Sequence, residues 1–359
     1  MIAALFLSIP AQAATLEYAV SHELGIMTSK AAKGSGVSTA NKTSTSRERT
    51  FTIFKDSGMI VENKPVKTIP QKGYTTAVPE AYFQPCEKKG SLVRLRYGSR
   101  DYAGDGEKIT KTAIVYLPYG YDRNDEMTRY DVFYMMHGLE CTADQLFFEG
   151  DGKTRNMLDH MIADGIIPPI IVVAATFDAE NSPQDFARSD SEARQFHQDF
   201  LNNLMPAVES TYNTYAKSSS QKALMASRDH RGFGGFSLGA VITWFQFCYN
   251  YDYIRYYAPM SAACWYFGGY GDARARETCD FFEKLVAEKH LNEKGYYIYA
   301  CTGTHDSLFG EMNTQVNEML SRPSFTADHL SYYLKSGGVH DFNASVEYLY
   351  NALPVFFAE

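Results

Sequence analysis

The chain has 359 residues, a formal net charge of −8 and 45% hydrophobic residues. That length holds one large or two modest domains, and the hydrophobic share is enough for a real core. The acidic balance, without a basic stripe or a recognition motif, excludes a nucleic-acid partner.

Met1 to Ile9 is almost wholly apolar, Pro10 breaks it, and Ala11-Gln12-Ala13 has the small-x-small pattern of a signal peptidase site. Residues 1–13 therefore read as an export signal whose positively charged start is missing. The mature chain is expected to begin near Ala14, to be secreted and soluble, and to hold no membrane after signal removal. The apolar stretch is too short to span a bilayer, and no later run reaches the ~18 apolar residues of a span. Thr28 to Thr50 is rich in Ser, Thr, Lys, Ala and Gly and has little apolar surface to bury. Residues 14–78, locally basic and punctuated by Pro65 and Pro70, read as a linker or loosely attached extension, with a short strand at Phe51 to Ile60. Residues 79–359 read as the compact domain.

Within that domain, Leu92 to Tyr97 alternates apolar and charged residues, the pattern of a half-exposed strand. Lys111 to Pro118 is a second strand. Asp131 to Met136 is a continuous apolar run ending in His137-Gly138. Residues 153–164 read as an amphipathic helix, Ile170 to Ala175 as a buried strand and residues 193–214 as a long amphipathic helix. Further strands are expected at Tyr256 to Met260 and Gly295 to Ala300, and a last helix after His340. Buried strands alternating with helices predict an α/β fold with a mostly parallel central sheet covered by helices on both faces. The 26 Tyr and 23 Phe read first as an aromatic core and second as stacking surfaces for sugars or phenolic rings. The six cysteines form neither a CxxC pair nor a zinc-ligand pattern. No pairing is assigned to them, and several are expected to be free buried thiols.

Gly235-Phe236-Ser237-Leu238-Gly239 is a Gly-x-Ser-x-Gly pentapeptide. A strand-like Arg231-Gly232-Phe233-Gly234 precedes it and an apolar helical run from Ala240 follows. Strand, sharp turn and helix form the context of a nucleophile elbow, and the arrangement is that of an α/β-hydrolase. A serine there needs a base within reach and an acid to orient the base, in the chain order Ser, Asp or Glu, His. Downstream lie His290, His305, His329 and His340. His290 sits in a Lys/Glu-rich segment, and His329 beside a strand start. His340 lies in the Gly-rich loop Ser336-Gly337-Gly338-Val339-His340 and is the expected base. Asp306, in the loop after the strand ending at Ala300, is the expected acid, ahead of Asp328 and Asp341. It also suits an N-cap for a helix starting near Ser307. The oxyanion of an acyl transfer needs preformed N–H donors. Leu238, after the nucleophile, and Leu139, after His137-Gly138, are expected to supply them. His137 itself is expected to hold the loop's shape.

Several stretches together are similar to a known family: Val115 to Tyr121, Met135-Met136-His137-Gly138, His230 to Ala240, Thr302 to Asp306, Gly337 to His340 and Tyr350 to Pro354. From Val78 to the C-terminus the chain resembles the feruloyl and acetylxylan esterases of carbohydrate esterase family 1, the esterase D-like α/β-hydrolases. The resemblance implies a Ser237, Asp306, His340 triad. It also implies that Trp265 lines the acyl pocket, with plain core packing as the other reading. Many such esterases carry further glycines after the His-Gly, where this chain has Leu139-Glu140-Cys141. Glu140 then brings a carboxylate near the acyl site, to disfavour acidic acyl groups or to bind a sugar hydroxyl.

The resulting expectation is a secreted serine esterase that hydrolyses feruloyl (hydroxycinnamoyl) esters on plant xylan or arabinoxylan through an acyl-enzyme, with neither metal nor organic cofactor. Removal of acetyl groups from the same polymer is the nearest alternative. A thioester hydrolase fits the elbow but not an export signal, and a transacylase shares the intermediate. A non-catalytic glycan-binding protein on a hydrolase scaffold is the alternative of another class.

Overall fold

The computed structural model describes residues 76–178 and 185–357. The expected signal at 1–13, the strand at Phe51 to Ile60 and nearly all of the 14–78 extension lie outside them. Eight strands form one sheet in the order β1-β2-β4-β3-β5-β6-β7-β8. β1 (Ser91–Arg100) and β2 (Lys108–Leu117) pair as an antiparallel hairpin, and β2 also runs antiparallel to β4 (Ile170–Ala175). From β4 onward, β3 (Asp131–Met136), β5 (Arg231–Phe236), β6 (Tyr256–Met260), β7 (Tyr297–Gly303) and β8 (Leu330–Lys335) pair in parallel. The chain thus has an α/β fold with a mostly parallel sheet.

Parallel strands need helical crossovers, and these cover both faces. The period-two alternation of strand side chains assigns each face its own core. Val132, Tyr134 and Met136 of β3, with Ile171, Val173 and Ala175 of β4, enter one core. That core also takes residues of α2 (Phe186–Asp199), α3 (Met205–Thr211), α4 (Gln221–Ala226, through Leu224), α5 (Leu238–Tyr249), α6 (Ala275–Glu288), α7 (Leu291–Lys294, through Leu291) and α8 (Phe309–Leu320). Phe133 and Met135, with Ile170, Val172 and Ala174, enter the other core, against α1 (Gln145–Ala163) and α9 (Phe342–Phe357). Phe133 lies across β5, where a Cβ on either Gly232 or Gly234 would fall 2.7 Å from its ring. Small residues in the elbow strand therefore admit a large ring beside them.

Arg231 anchors the start of β5. Its buried guanidinium pairs with Glu209 of α3 at 2.5 Å and donates to the carbonyls of Leu224 and Tyr253. At the other limit of the described body, the Thr76 N–H donates to Asn351 Oδ1, and Asn351 Nδ2 donates back to the Thr76 carbonyl, each at 3.0 Å. The chain's first described residues are thereby tied to α9. Among the described residues no helix is long and apolar enough to cross a membrane.

The sequence pattern placed β3, β4 and β6 at their observed bounds. The single helix expected over 193–214 is instead α2, a π-helical turn at Phe200–Leu204, and α3. Gly295 lies outside β7 at φ +74°, and His290 stands between α6 and α7 at φ +53° rather than within a helix. All six cysteines carry free thiols, five of them buried and Cys141 half-buried.

Candidate active site

Ser237 joins β5 to α5 with φ 60° and ψ −123°, a conformation that L-residues rarely hold. The flanking glycines make that turn sterically feasible. A Cβ on Gly235 would fall 2.5 Å from the Gly239 carbonyl oxygen, and one on Gly239 would fall 2.4 Å from that of Met136. Strand, helix and the end of β3 therefore meet at backbone distance. The Ser237 N–H donates to the Met260 carbonyl at 2.9 Å, which fastens the elbow to the end of β6.

β7 and β8 deliver the other two expected residues to the same end of the sheet. His340 Nδ1 lies 2.9 and 3.0 Å from the two carboxylate oxygens of Asp306. The Asp306 side chain is wholly buried, whereas the imidazole keeps about a quarter of its surface open. Asp306 Oδ1 also accepts the Leu308 N–H at 2.8 Å, so it orients the histidine and caps the turn before α8. The rival acids are engaged elsewhere: Asp341 accepts the Ala344 N–H at the start of α9, and Asp328 lies before β8, at the far end of the sheet. His329 faces the Tyr296 carbonyl and stacks on the Tyr296 ring.

Ser237 and His340 share the wall of a cavity of about 260 Å³. Its apolar lining comes from Leu139, Leu146, Phe236 and Phe342. The Phe236 ring lies 4.5 Å from the imidazole, which limits the ring's motion.

Gly138 sits directly over the serine, where a Cβ would come within 3.1 Å of Ser237 Cβ. Its carbonyl accepts from His137 Nδ1 at 2.8 Å and from the Cys141 N–H at 3.4 Å. A trans peptide points its C=O and N–H in opposite directions. Tying the Gly138 oxygen back toward His137 and Cys141 therefore turns the Leu139 N–H the other way. Leu238 is the first residue of α5, so its N–H has no acceptor within the helix. Glu140 is exposed and holds φ 57°, a value a glycine would adopt without strain.

His137 is buried, and its Nε2 accepts from the Thr176 hydroxyl at 2.9 Å while the Phe177 ring lies 4.8 Å away. Burial pushes its pKa down to about 4. A neutral ring donating at Nδ1 and accepting at Nε2 suits both partners, so His137 works as a brace.

Trp265 is 3% exposed, packs against Phe186 and Tyr270, and donates its indole N–H to Glu311 Oε1 at 2.9 Å. It stands on the loop after β6 and is not among the residues that line the cavity over Ser237. Glu311 was not legible from any motif. Its largely buried carboxylate, with a pKa raised by desolvation, also accepts the N–H groups of Ala263 and Gly271 and so shapes that loop. Thr176 and Glu311 both bind across about 40 residues or more of sequence, and no local spacing marks them. Among the described residues no group of His, Cys, Asp and Glu is arranged to hold a metal ion.

The model of the Esterase family matches residues 108–354, which contain every element of this site. The chain belongs to the esterase family. A solved structure described as FAE is 33% identical, with a TM-score of 0.69 over 82% of this chain and 97% of its own. A feruloyl esterase module from Clostridium thermocellum, solved with sinapinate, is 32% identical, with a TM-score of 0.68 over the same shares. Endo-1,4-beta-xylanase Y of Acetivibrio thermocellus is 34% identical over 84% of this chain, yet the esterase spans only 27% of that protein's length. It likewise spans 17% of the endo-1,4-beta-xylanase/feruloyl esterase of Xylanibacter ruminicola, at 30% identity. The esterase is thus a carboxylic ester hydrolase with the α/β-hydrolase fold.

Proposed function

We propose that this esterase is exported and releases hydroxycinnamate, ferulate above all, from ester links on xylan through an acyl-enzyme. The observation that carries this reading is the cavity of about 260 Å³ in which Ser237 and His340 stand beside Leu139, Leu146, Phe236 and Phe342, with Thr142, Gln145, Glu149, Asp341 and Ser345 as its polar lining. An acetyl group fills little of such a space, whereas a planar phenolic acyl group suits apolar walls closed by a few polar groups. The likeness to a feruloyl esterase module solved with sinapinate supports the same acyl class.

In this mechanism Ser237 Oγ attacks the ester carbonyl and His340 Nε2 takes its proton. Asp306, bound to Nδ1, stabilises the imidazolium and keeps Nε2 aimed at the reacting oxygens. The N–H groups of Leu139 and Leu238 meet the oxyanion as it forms, in a turn already shaped to present them. Collapse expels the sugar alkoxide, which takes the proton from His340. Water, deprotonated by His340, then attacks the acyl-enzyme and frees the acid and Ser237. Glu140, exposed on the turn after Leu139, is assigned to the rim of the site, toward the sugar, whereas Trp265, outside the cavity lining, is assigned to the support of the loop after β6.

The test is release of ferulate from methyl ferulate and feruloylated arabinoxylan, alongside acetate from acetylated xylan, by wild type and Ser237→Ala. Ferulate release that vanishes in Ser237→Ala is the expected result. Acetate release alone would replace the acyl group, and no release by the folded wild type would overturn the reading.

A further inference from the structure

β2 and β4 stop pairing at Ile114 and Ala174. Past that point β4 ends, and the chain runs on through Thr176 and Phe177, whose carbonyls lie outside the strand. Lys111 of β2 meets them. Its Nζ donates to the Phe177 carbonyl at 2.8 Å and lies 3.5 Å from that of Thr176. Asp199, at the end of α2, stands 3.1 Å from the same ammonium, and the two side chains are only 5% and 1% exposed. Ser99 Oγ donates to Asp199 Oδ1 at 2.6 Å and the Tyr97 hydroxyl to Oδ2 at 3.3 Å, so β1 supplies further donors to the carboxylate.

An ion pair buried this deeply needs a reason other than stability. Both charges lose their hydration, and their attraction does little more than offset that loss; apolar side chains of similar size often serve as well. What apolar side chains cannot do is hold carbonyl groups at fixed positions. The carbonyls held here belong to the two residues that support the loop over Ser237. The Thr176 hydroxyl donates to His137 Nε2 at 2.9 Å, and the Phe177 ring lies 4.8 Å from the imidazole. His137 Nδ1 in turn donates to the Gly138 carbonyl at 2.8 Å. Burial, and with it the Lys111 cation, disfavours the imidazolium, so Nε2 stays an acceptor. From Asp199 through Lys111, the 176–177 backbone and His137 to Gly138, every link is a hydrogen bond or a stretch of backbone. The line starts in α2 and the β1–β2 hairpin and ends at the peptide next to the Leu139 N–H.

We propose that Lys111 and Asp199 are positioning residues for ester hydrolysis: they fix the 176–177 backbone and, through His137, the oxyanion donor of Leu139. The proposal rests on the assignment of Leu139 to the oxyanion made above. Neither residue lines the cavity that holds Ser237, so neither reaches an ester bound there. Their loss should therefore weaken the transition state and spare the ground state, which lowers kcat and leaves KM in place.

The test uses the full chain and a double-mutant cycle. Lys111→Met is combined with Asp199→Asn, so that no charge is left buried alone and the amide still meets Ser99 and Tyr97. This pair, Thr176→Val and the combination of the two are assayed on 4-nitrophenyl acetate, an ester that requires neither a hydroxycinnamate nor a polymer. Near-ultraviolet circular dichroism confirms the fold. The expected result is a fall in kcat of about tenfold for the pair, with KM within about twofold of wild type. Thr176→Val should lose about as much, and the combination should lose little more than either alone, because all three residues act through His137. A folded pair variant with wild-type kcat would overturn the proposal. So would losses that multiply in the combination, which would make the ion pair independent of His137, or a rise in KM with kcat unchanged. If the pair variant does not fold, Ser99→Ala, which takes only one hydrogen bond from Asp199, carries the same cycle: a fall of about threefold that disappears in the Thr176→Val background supports the proposal, and one that persists there overturns it. Activity that survives in Ser237→Ala would instead remove the acyl-enzyme reading.

Discussion

Gly303, the last residue of β7, and Gly338, in the loop after β8, pass so closely that a Cβ on Gly303 would fall 2.2 Å from the Gly338 carbonyl oxygen. The same crossing is fastened by the His305 N–H donating to that oxygen at 2.9 Å. It brings the Asp306 turn and the His340 loop into register. Gly303→Ala should separate the two loops, lowering stability by about 1–3 kcal/mol and reducing kcat more than KM. Thermal unfolding and steady-state kinetics check it. Wild-type kcat in the variant would show that the crossing does not set the pair.

Asp306→Asn preserves size but offers the imidazole an amide where a carboxylate accepted its Nδ1 proton. Activity on methyl ferulate should fall roughly 10⁴-fold in kcat, while the melting temperature changes little. A loss under tenfold would remove Asp306 from the orienting role.

Ser237 stores strain at φ 60° and ψ −123°. Ser237→Gly relieves it and should raise stability by about 1 kcal/mol while abolishing hydrolysis. Urea unfolding checks this, and a less stable variant would mean that contacts of the side chain outweigh the strain.

His137 has a folded pKa of about 4, below its ordinary 6.5. As pH falls, the unfolded chain takes up this proton before the folded one does. The contribution is present above pH 6.5 and is lost progressively toward pH 4. Between pH 7 and pH 5 it amounts to about 2 kcal/mol. His137→Gln should narrow the difference in urea midpoint between those two pH values, and an equally steep dependence in the variant would contradict it.

Thr176→Val removes the hydroxyl that His137 Nε2 accepts and leaves that nitrogen buried without a partner. The expected loss is about 1–3 kcal/mol, with Thr176→Ser keeping most of the stability. Equal losses in the two variants would point to packing of the threonine methyl instead.

Much of this architecture was legible because local pattern and tertiary role coincide. Val132 to Met136 and Ile170 to Ala175 are apolar throughout since both sheet faces are covered. The Gly-x-Ser-x-Gly spacing is legible because backbone contacts at Gly235 and Gly239 forbid a Cβ. Asp306 and His340 follow from chain order and loop position, and they meet as that order requires. The π-helical turn at Phe200–Leu204 left no such mark, since one inserted residue barely shifts the apolar phase. The supports of the loop after β3 and of Trp265 were likewise hidden. Thr176 and Glu311 act through long-range hydrogen bonds, and a lone Thr or Glu carries no spacing that announces its partners.

The paired hydrogen bonds between Thr76 and Asn351 place the entry of the described body beside its final helix. A polypeptide joined ahead of this body and one joined behind it would depart from the same flank. Thr76 and the last described residue, Phe357, therefore both lie within about two turns of Asn351 on one helix. Both attachments stay on α9, the helix packed behind the sheet, and a splice made there leaves the strand ends that carry Ser237 unbroken.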